Sequence, residues 1–432
     1  MTDTLQTQIP SLPDGVSFAY RGDALYCEDL PVSELASRYG TPLYVYGQKA
    51  IRTAYQEYDQ AFGEHPHSIM YSVKANSNLA IVNLLARLGA GFDVVSGGEL
   101  LRVIAAGAEP SRVVFSGVGK TDAEITLALQ KGIRCFNIES IPELEQIASI
   151  ARKMGRRAPV SVRVNPNVDA KTHPYISTGL RNNKFGVAYE QTLPLYRHAA
   201  ALPEIEITGI DCHIGSQITE LSPFKDAGEK ILDLVAKLAE EGIVLRHIDF
   251  GGGLGVRYKD ETPPSRKAFI ETLLGMLERR GMSRLDCLIE PGRSIVANAG
   301  ILVCSVIRDK TGETKNFAVV DAAMNDMGRP MFYQAWMGVV PVKIRRGDSR
   351  CYDVVGPICE SGDWLARQRT LCIRQGDLLA VTSAGAYGMS MSSNYNTRPR
   401  AAEVLVSGEQ AFCIREREKP EDLWRLEHIP QP

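Results

Sequence analysis

The sequence predicts an α/β fold, a TIM (β/α)8 barrel followed by a β-rich domain that the N-terminal segment completes. Three observations predict it. Between about residues 68 and 293, short apolar runs alternate with amphipathic helical stretches, the pattern of repeated βα units. Nearly every apolar run ends on a polar or glycine cluster, as expected where chemistry collects at the C-terminal ends of barrel strands. Residues 301–432 read instead as short strands with no helical periodicity between them. An open doubly wound sheet is the alternative for the alternating part.

Eight strands are expected at 69–73, 91–95, 113–116, 135–138, 160–164, 209–212, 247–250 and 285–289. Helical runs fall between them at 79–88, 122–130, 142–154, 223–240 and 266–280. Thr121 with Glu124, and Ser140 with Glu143, fit capping boxes in which hydroxyl and carboxylate satisfy orphan amides reciprocally. Gly132 stands just past the end of the first of these helices. The long unpatterned stretch 169–186 follows the fifth strand, and a loop of that length at the active face reads as functional.

In the flanks, strands are expected at 301–307, 317–320, 339–344, 352–355, 378–381, 404–406 and 411–414, with an N-terminal hairpin over 16–28 turning at Arg21-Gly-Asp23. Both ends are expected to join one β domain, because the termini of a compact chain often meet. The resulting division is a flexible tail at 1–14, a segment at 15–44 joining the β domain, the barrel at 45–300 and the β-rich domain at 301–432.

Length and composition narrow the class. With 432 residues, more than one core is expected. A net charge of -2 argues against nucleic acid or a polybasic membrane contact. No run approaches the roughly 18 apolar residues of a spanning helix, and the N-terminus lacks a basic and then apolar signal. The nine cysteines form no C-x-x-C pair and the seven histidines no H-x-x-x-H, so neither a metal site nor a disulfide framework is expected. Free thiols point to a reducing, cytoplasmic compartment.

The strand ends carry Lys74, Asp93, Ser116, Glu139, Arg163, Asn165, His213, Gly251 to Gly253, and Glu290 to Arg293. A lysine ending an apolar strand either reaches solvent or is held for chemistry, and a desolvated amine is a Schiff-base nucleophile. Gly251, Gly252 and Gly253 follow the seventh strand. Consecutive glycines make a tight turn in the ordinary case; in a barrel, the loops after strands seven and eight often seat phosphate. Glu290-Pro-Gly292-Arg293 sets a carboxylate and a guanidinium three residues apart, a surface ion pair or an anion clamp aimed into the barrel mouth. His213 is either a satisfied strand histidine or a flat ring that stacks on a planar cofactor. Cys359-Glu360, Tyr387 between small residues, and Arg329 with Tyr333 lie in the β-rich part, as core or as site wall. An amine nucleophile beside a phosphate seat suggests pyridoxal phosphate, and a phospho-sugar aldolase would share both features.

Taken together, Tyr71-Ser-Val-Lys-Ala-Asn76, Asp93-Val-Val-Ser-Gly-Gly-Glu99, His213-Ile-Gly-Ser-Gln217, Gly251-Gly-Gly253, Glu290-Pro-Gly-Arg293, Cys359-Glu360 and Ala386-Tyr387 resemble the pyridoxal-phosphate decarboxylases of the alanine-racemase fold class. Thr172-His-Pro-Tyr-Ile-Ser-Thr-Gly179, Lys184-Phe-Gly186, Val320-Asp-Ala-Ala-Met-Asn325 and Met391-Ser-Ser-Asn-Tyr-Asn396 are similar to the bacterial diaminopimelate decarboxylases among them. The resemblance runs from about residue 30 to 425. Its departures are small: Ser361 where threonine is common, and Met327-Gly328 where bulkier aliphatics are usual.

The resemblance implies decarboxylation of meso-2,6-diaminopimelate to L-lysine, the last step of lysine biosynthesis. It implies that Lys74 carries pyridoxal 5'-phosphate as a Schiff base. Gly251, Gly252, Gly253, Gly292, Arg293 and Ser216 would hold the phosphate. Glu290 would pair with the pyridine nitrogen, His213 would stack on the ring, and Asp93 and Arg163 would support the pocket. Arg293, Arg329 and Tyr333 would bind the distal carboxylate of the substrate, Glu360 the distal ammonium, and Tyr387 both cofactor and substrate. Cys359 would return a proton to the carbanion. Cys359 and Glu360 would come from the partner in a homodimer with shared active sites. Two cations and an acid complement a zwitterionic far end, whereas ornithine or lysine needs only the acid. A related decarboxylase of another basic amino acid or of carboxynorspermidine is the alternative. A racemase would set an arginine against the pyridine nitrogen, and a pyridoxal-phosphate homeostasis protein would be a lone barrel.

Overall fold

The fold is that of a computed structural model, which describes residues 12–13, 16–170, 178–179 and 183–431. The chain divides into two compact units, residues 52–256 with 262–294, and residues 1–51 with 257–261 and 295–432.

The first unit is a closed barrel of eight parallel strands: His67–Ser72, Gly91–Val94, Val113–Phe115, Cys135–Ile138, Ala158–Asn165, Ile205–Cys212, His247–Asp249 and Asp286–Ile289. Each pairs with its neighbour in chain order, and the eighth returns to the first in the register Cys287↔His67 to Ile289↔Ile69. All eight expected strands are present. Their inward residues form layers: Met70, Val114, Cys135 and Leu288 pack as one apolar cluster, and nearer the C-terminal ends the inward positions turn polar. A two-residue strand, Val187–Ala188, adds to the fifth outside the ring.

The expected helices form at Leu79–Leu88, Asp122–Lys131, Ile141–Lys153, Ser222–Glu240 and Arg266–Arg279. Between the barrel strands two more form that were not among those expected, Gly97–Ala105 and Tyr189–Ala200. The first opens on two glycines and the second contains Pro194, so local propensity hides both. Ser96 nevertheless caps the first by accepting from Glu99 N at 3.2 Å. The capping box at Thr121 forms in full, and Gly132 ends that helix at φ +69, a conformation a side chain would strain. The second box forms only by half. Ser140 accepts from Glu143 N, but the Glu143 carboxylate turns to Glu139 N at 2.7 Å and to Lys120 at 2.6 Å. A buried cation outbids the orphan amide for it.

The second unit is a β domain. Its nine-stranded mixed sheet places Leu43–Gly47 between Gly300–Thr311, antiparallel, and Ala402–Ser407, parallel. N- and C-terminal segments therefore share one sheet. They also share one core, in which Phe18, Leu25, Leu35 and Val45 pack with Ile301, Val340 and Val404. The hairpin forms from Phe18–Arg21 and Ala24–Cys27, turning at Gly22-Asp23. The strand Trp364–Leu371 was not expected. A register shift against its partner and Gln368 at φ +57 break the alternation that would have marked it. The 1–14 tail, the 169–186 stretch and the Thr172–Gly179 motif lie largely outside the described residues.

Candidate active site

In the barrel unit, one rim gathers the expected side chains. Lys74 lies two residues past its strand, in a single 3-10 turn at Val73–Ala75. The turn lifts the amine out of the apolar layer, leaving its side chain 38% exposed while Nζ donates to the buried Asp93 Oδ2 at 2.8 Å. Ser72 Oγ donates to the same oxygen at 2.8 Å and also reaches Glu290 O at 3.2 Å, so the first, second and eighth strands are tied together. Burial alone would raise the Asp93 carboxyl. The Lys74 charge and the hydrogen bonds from Lys74 and Ser72 outweigh it and hold the group below its usual range.

His213 Nδ1 accepts from Gly252 N at 3.1 Å, which leaves the proton of the neutral ring on Nε2. Burial first, then the positive charges of Arg163 and Lys74, lower its pKa to about 3, although part of the residue remains accessible. The ring is therefore a neutral plate. Arg293 Nε and Nη2 donate to Ser216 Oγ at 3.2 and 3.1 Å, joining the loops after the sixth and eighth strands.

The glycines are required by crowding. A Cβ on Gly252 would lie 2.1 Å from Glu290 O, one on Gly253 2.4 Å from Gly215 O, and one on Gly292 2.9 Å from Ala75 Cβ. The loops after strands six, seven and eight touch backbone to backbone, so their amides line the rim without side chains in the way.

Beneath this rim lies a carboxyl cluster that joins the expected Glu290 to two acids not expected from the sequence, Asp211 and Asp249. Asp211 on the sixth strand, Asp249 on the seventh and Glu290 just past the eighth bring oxygens within 4.8 Å of one another, all buried. Asp249 Oδ1 accepts from Gly251 N at 2.8 Å and Asn137 Nδ2 donates to Glu290 Oε1 at 3.4 Å. Asp211 Oδ1 and Asp249 Oδ2 are buried with no hydrogen-bond partner among the described residues. Burial above all, with neighbouring acids adding to it, pushes all three up, Asp211 to about 7 and Asp249 and Glu290 well above the usual carboxyl range. The signal was available: Gly-Ile-Asp-Cys-His and His-Ile-Asp-Phe-Gly each place an acid inside an apolar strand. Arg163 faces the cluster, 3.9 Å from Asp211 and 3.2 Å from Glu139 Oε1.

The β unit carries the other expected residues. Arg329 is buried, its guanidinium 4.3 Å from the centroid of the Tyr258 ring. Tyr333 closes the same short helix, Arg329–Tyr333, and is half-buried. Glu360 is exposed and accepts from Tyr395 Oη at 2.8 Å, and Cys359 beside it is exposed. Their turn is shaped by Asp363, which the sequence reading passed over. Asp363 Oδ1 accepts from Met324 N and Oδ2 from Ile358 N, each at 2.7 Å. Tyr387 sits at φ +56, a costly conformation for a non-glycine residue and one that collects at functional sites.

The barrel rim suits a phosphorylated pyridinium. It offers an amine, an amide-lined glycine seat, a neutral flat ring, and buried carboxyls in excess of cations, three of them (Asp93, Asp211 and Asp249) with an oxygen that has no hydrogen-bond partner among the described residues. A barrel with a rim lysine, a glycine seat after its seventh strand and an acid after its eighth fits the class of pyridoxal-phosphate enzymes. Residues 48–297 match the family model of the pyridoxal-dependent decarboxylase, pyridoxal binding domain. The chain is 54% identical over 413 residues to a diaminopimelate decarboxylase of Vibrio cholerae, covering 95% of this chain and 99% of that protein. It is 55% identical to one of Pseudomonas aeruginosa, covering 96% and 99%. The crystal structure of diaminopimelate decarboxylase from M. jannaschii in co-complex with L-lysine superposes with a TM-score of 0.92 at 38% identity, covering 97% of this chain and 99% of that one. The chain belongs to the diaminopimelate decarboxylase family of pyridoxal-dependent decarboxylases.

Proposed function

We propose that this protein removes CO2 from meso-2,6-diaminopimelate and replaces it with a proton, yielding L-lysine. The observation that carries the reading is that the family relationship spans nearly the whole chain, both the barrel with its Lys74 rim and the β unit with Arg329, Cys359 and Glu360. Bound pyridoxal phosphate supplies an electron sink for the pair left when CO2 departs.

The residues take the following parts in this reading. Lys74 is the amine that would hold the cofactor, and Asp93, which accepts from its Nζ at 2.8 Å, would position it. Gly251, Gly252, Gly253, Gly292, Ser216 and Arg293 seat the phosphate. Glu290 would pair with the ring nitrogen and keep it protonated. His213, being neutral, would stack on the ring without repelling a cation. Arg163 supports the ring edge. Arg293, Arg329 and Tyr333 hold the distal carboxylate, Glu360 the distal ammonium, and Tyr387 borders both cofactor and substrate. Cys359 returns the proton to the carbon that lost CO2. A pocket built to pair a carboxylate and an ammonium rejects a substrate lacking either, because its own polar groups would be stranded.

Cys359 and Glu360 are exposed within their own chain, which suits side chains offered to a second subunit in a head-to-tail homodimer. The absence of C-x-x-C pairs and the nine free thiols suit a cytoplasmic setting. No helix among the described residues is long and apolar enough to cross a membrane. Mixing a Lys74→Ala variant with a Cys359→Ala variant tests the shared site. Activity that neither variant has alone supports it, and a mixture as inactive as its components overturns it. Release of CO2 and L-lysine in equal amounts from meso-diaminopimelate tests the reaction itself.

A further inference from the structure

Glu139 belongs to none of the roles above, yet its carboxylate, with 2% of the side chain exposed, ties together three segments of the barrel mouth. Oε1 accepts from Gly117 N at 3.1 Å and from Arg163 Nη1 at 3.2 Å, and Oε2 accepts from Gly186 N at 2.8 Å. These donors follow the third strand, lie on the fifth strand, and close the long connection after it.

The backbone of Glu139 is itself pinned from below. Lys120, with 1% of its side chain exposed, donates to Gly117 O at 2.7 Å, to Asn137 O at 2.8 Å and to Glu143 Oε1 at 2.6 Å. Glu143 Oε2 accepts from Glu139 N at 2.7 Å. Burying such a pair costs desolvation that its attraction barely repays. What it achieves here is geometric, since it fixes the residues on both sides of the strand end from which the Glu139 carboxylate projects.

Arg163 is the beneficiary. Its guanidinium has Glu139 on one side, Asp211 at 3.9 Å on another, and lies 5.0 Å from the centroid of the Phe185 ring. Phe185 is held by Asn165 Nδ2, which donates to its carbonyl at 3.2 Å, one residue before the amide that Glu139 takes. A planar, always-charged fork needs a partner of this kind to keep one orientation. Removing the Glu139 charge would leave a buried guanidinium leaning on the acid cluster beneath the glycine seat.

We propose that Glu139 is a positioning residue for the cofactor, acting through Arg163 and through the amides of Gly117 and Gly186 to set the barrel mouth. The inference rests on reading the chain as a pyridoxal-phosphate enzyme.

The test is a binding cycle on the full chain, stripped of cofactor and titrated with pyridoxal phosphate, using wild type, Glu139→Gln, Arg163→Gln and the double variant. Glutamine keeps the shape and one acceptor but loses the charge. Glu139→Gln should weaken binding by about 10- to 100-fold, the worth of a charge-assisted hydrogen bond. It should also shift the pH titration of the bound cofactor's absorbance. The double variant should lose less than the product of the two single losses, because Glu139 works through Arg163. Should Glu139→Gln fail to fold, Glu139→Asp, which keeps the charge but withdraws it by one methylene, carries the same cycle. Unchanged affinity and absorbance, or losses that multiply in full, would overturn the proposal. A wild-type chain that takes up no pyridoxal phosphate would take the functional reading down with it.

Discussion

Replacing Asp211 with asparagine should make the cofactor-free protein more stable in base than in acid, relative to wild type. Asp211 is 1% exposed, lies beside Asp249 and Glu290, and keeps one oxygen with no partner among the described residues. Its carboxyl is raised from an ordinary 3.8 to about 7, by burial above all, with the pull of Arg163 falling short of cancelling it. Between these values the folded chain binds a proton that the unfolded chain has lost, so this group's contribution falls as pH rises through the window and is flat above it. From pH 5 to pH 8 the loss is about 3 kcal/mol as an upper figure, at 1.36 kcal/mol for each tenfold change. Sharing of protons with Asp249 and Glu290 spreads it over a wider range. Asparagine carries no such proton, so the stability of Asp211→Asn minus that of wild type should grow by about 1–3 kcal/mol over the interval. The assay is urea unfolding at the two pH values followed by far-UV circular dichroism. Far-UV circular dichroism reads the barrel directly, whereas Trp336, Trp364 and Trp424 all belong to the β unit. A difference that stays constant with pH, or shrinks as pH rises, would refute the reasoning.

Other outcomes follow from the same geometry. Lys74→Ala should abolish turnover and the colour of bound cofactor together, which an absorbance scan and a CO2 assay check. Cys359→Ala should lower kcat far more than it raises KM, since a proton donor acts after substrate is bound; a change in KM alone would assign it to binding instead. Gly252→Ala would set a Cβ 2.1 Å from Glu290 O. Backbone must shift to admit it, at about 1–3 kcal/mol, and cofactor titration should show the seat weakened. Lys120→Met would strand the Glu143 carboxylate in the interior at about 3–5 kcal/mol, and losing Glu143 as well should recover part of that in a denaturant series.

The barrel was legible because its strands are short apolar runs closed by polar residues, a pattern that survives without tertiary knowledge; Cys135–Ile138 and Leu79–Leu88 fall at their expected limits. What escaped has local causes. Gly97–Ala105 is a helix in spite of its glycines because Ser96 caps it and the barrel packs it. The strand at Trp364–Leu371 is hidden by its bulge. In the site, strand-end residues announce themselves, whereas Asp211 and Asp249 sit one step inside, where an acid between apolar neighbours looks like a break in pattern. The glycine triplet was read as an anion seat, and the structure adds the reason no other residue serves: three loops meet there backbone to backbone. Glu139 was legible as a strand-end residue and Asp363 was not, and the bonds of both to backbone amides distant in sequence follow no spacing rule.

The central claim is that Lys74 chemistry is joined to a distal pocket made for a carboxylate and an ammonium. The measurement that tests it most directly is product formation by the purified, cofactor-loaded protein given meso-diaminopimelate, its LL isomer, ornithine, arginine and lysine in separate reactions. L-lysine and CO2 from the meso isomer alone is the predicted result. Turnover of ornithine, arginine or lysine at a comparable rate would contradict the assignment of Arg329 and Glu360.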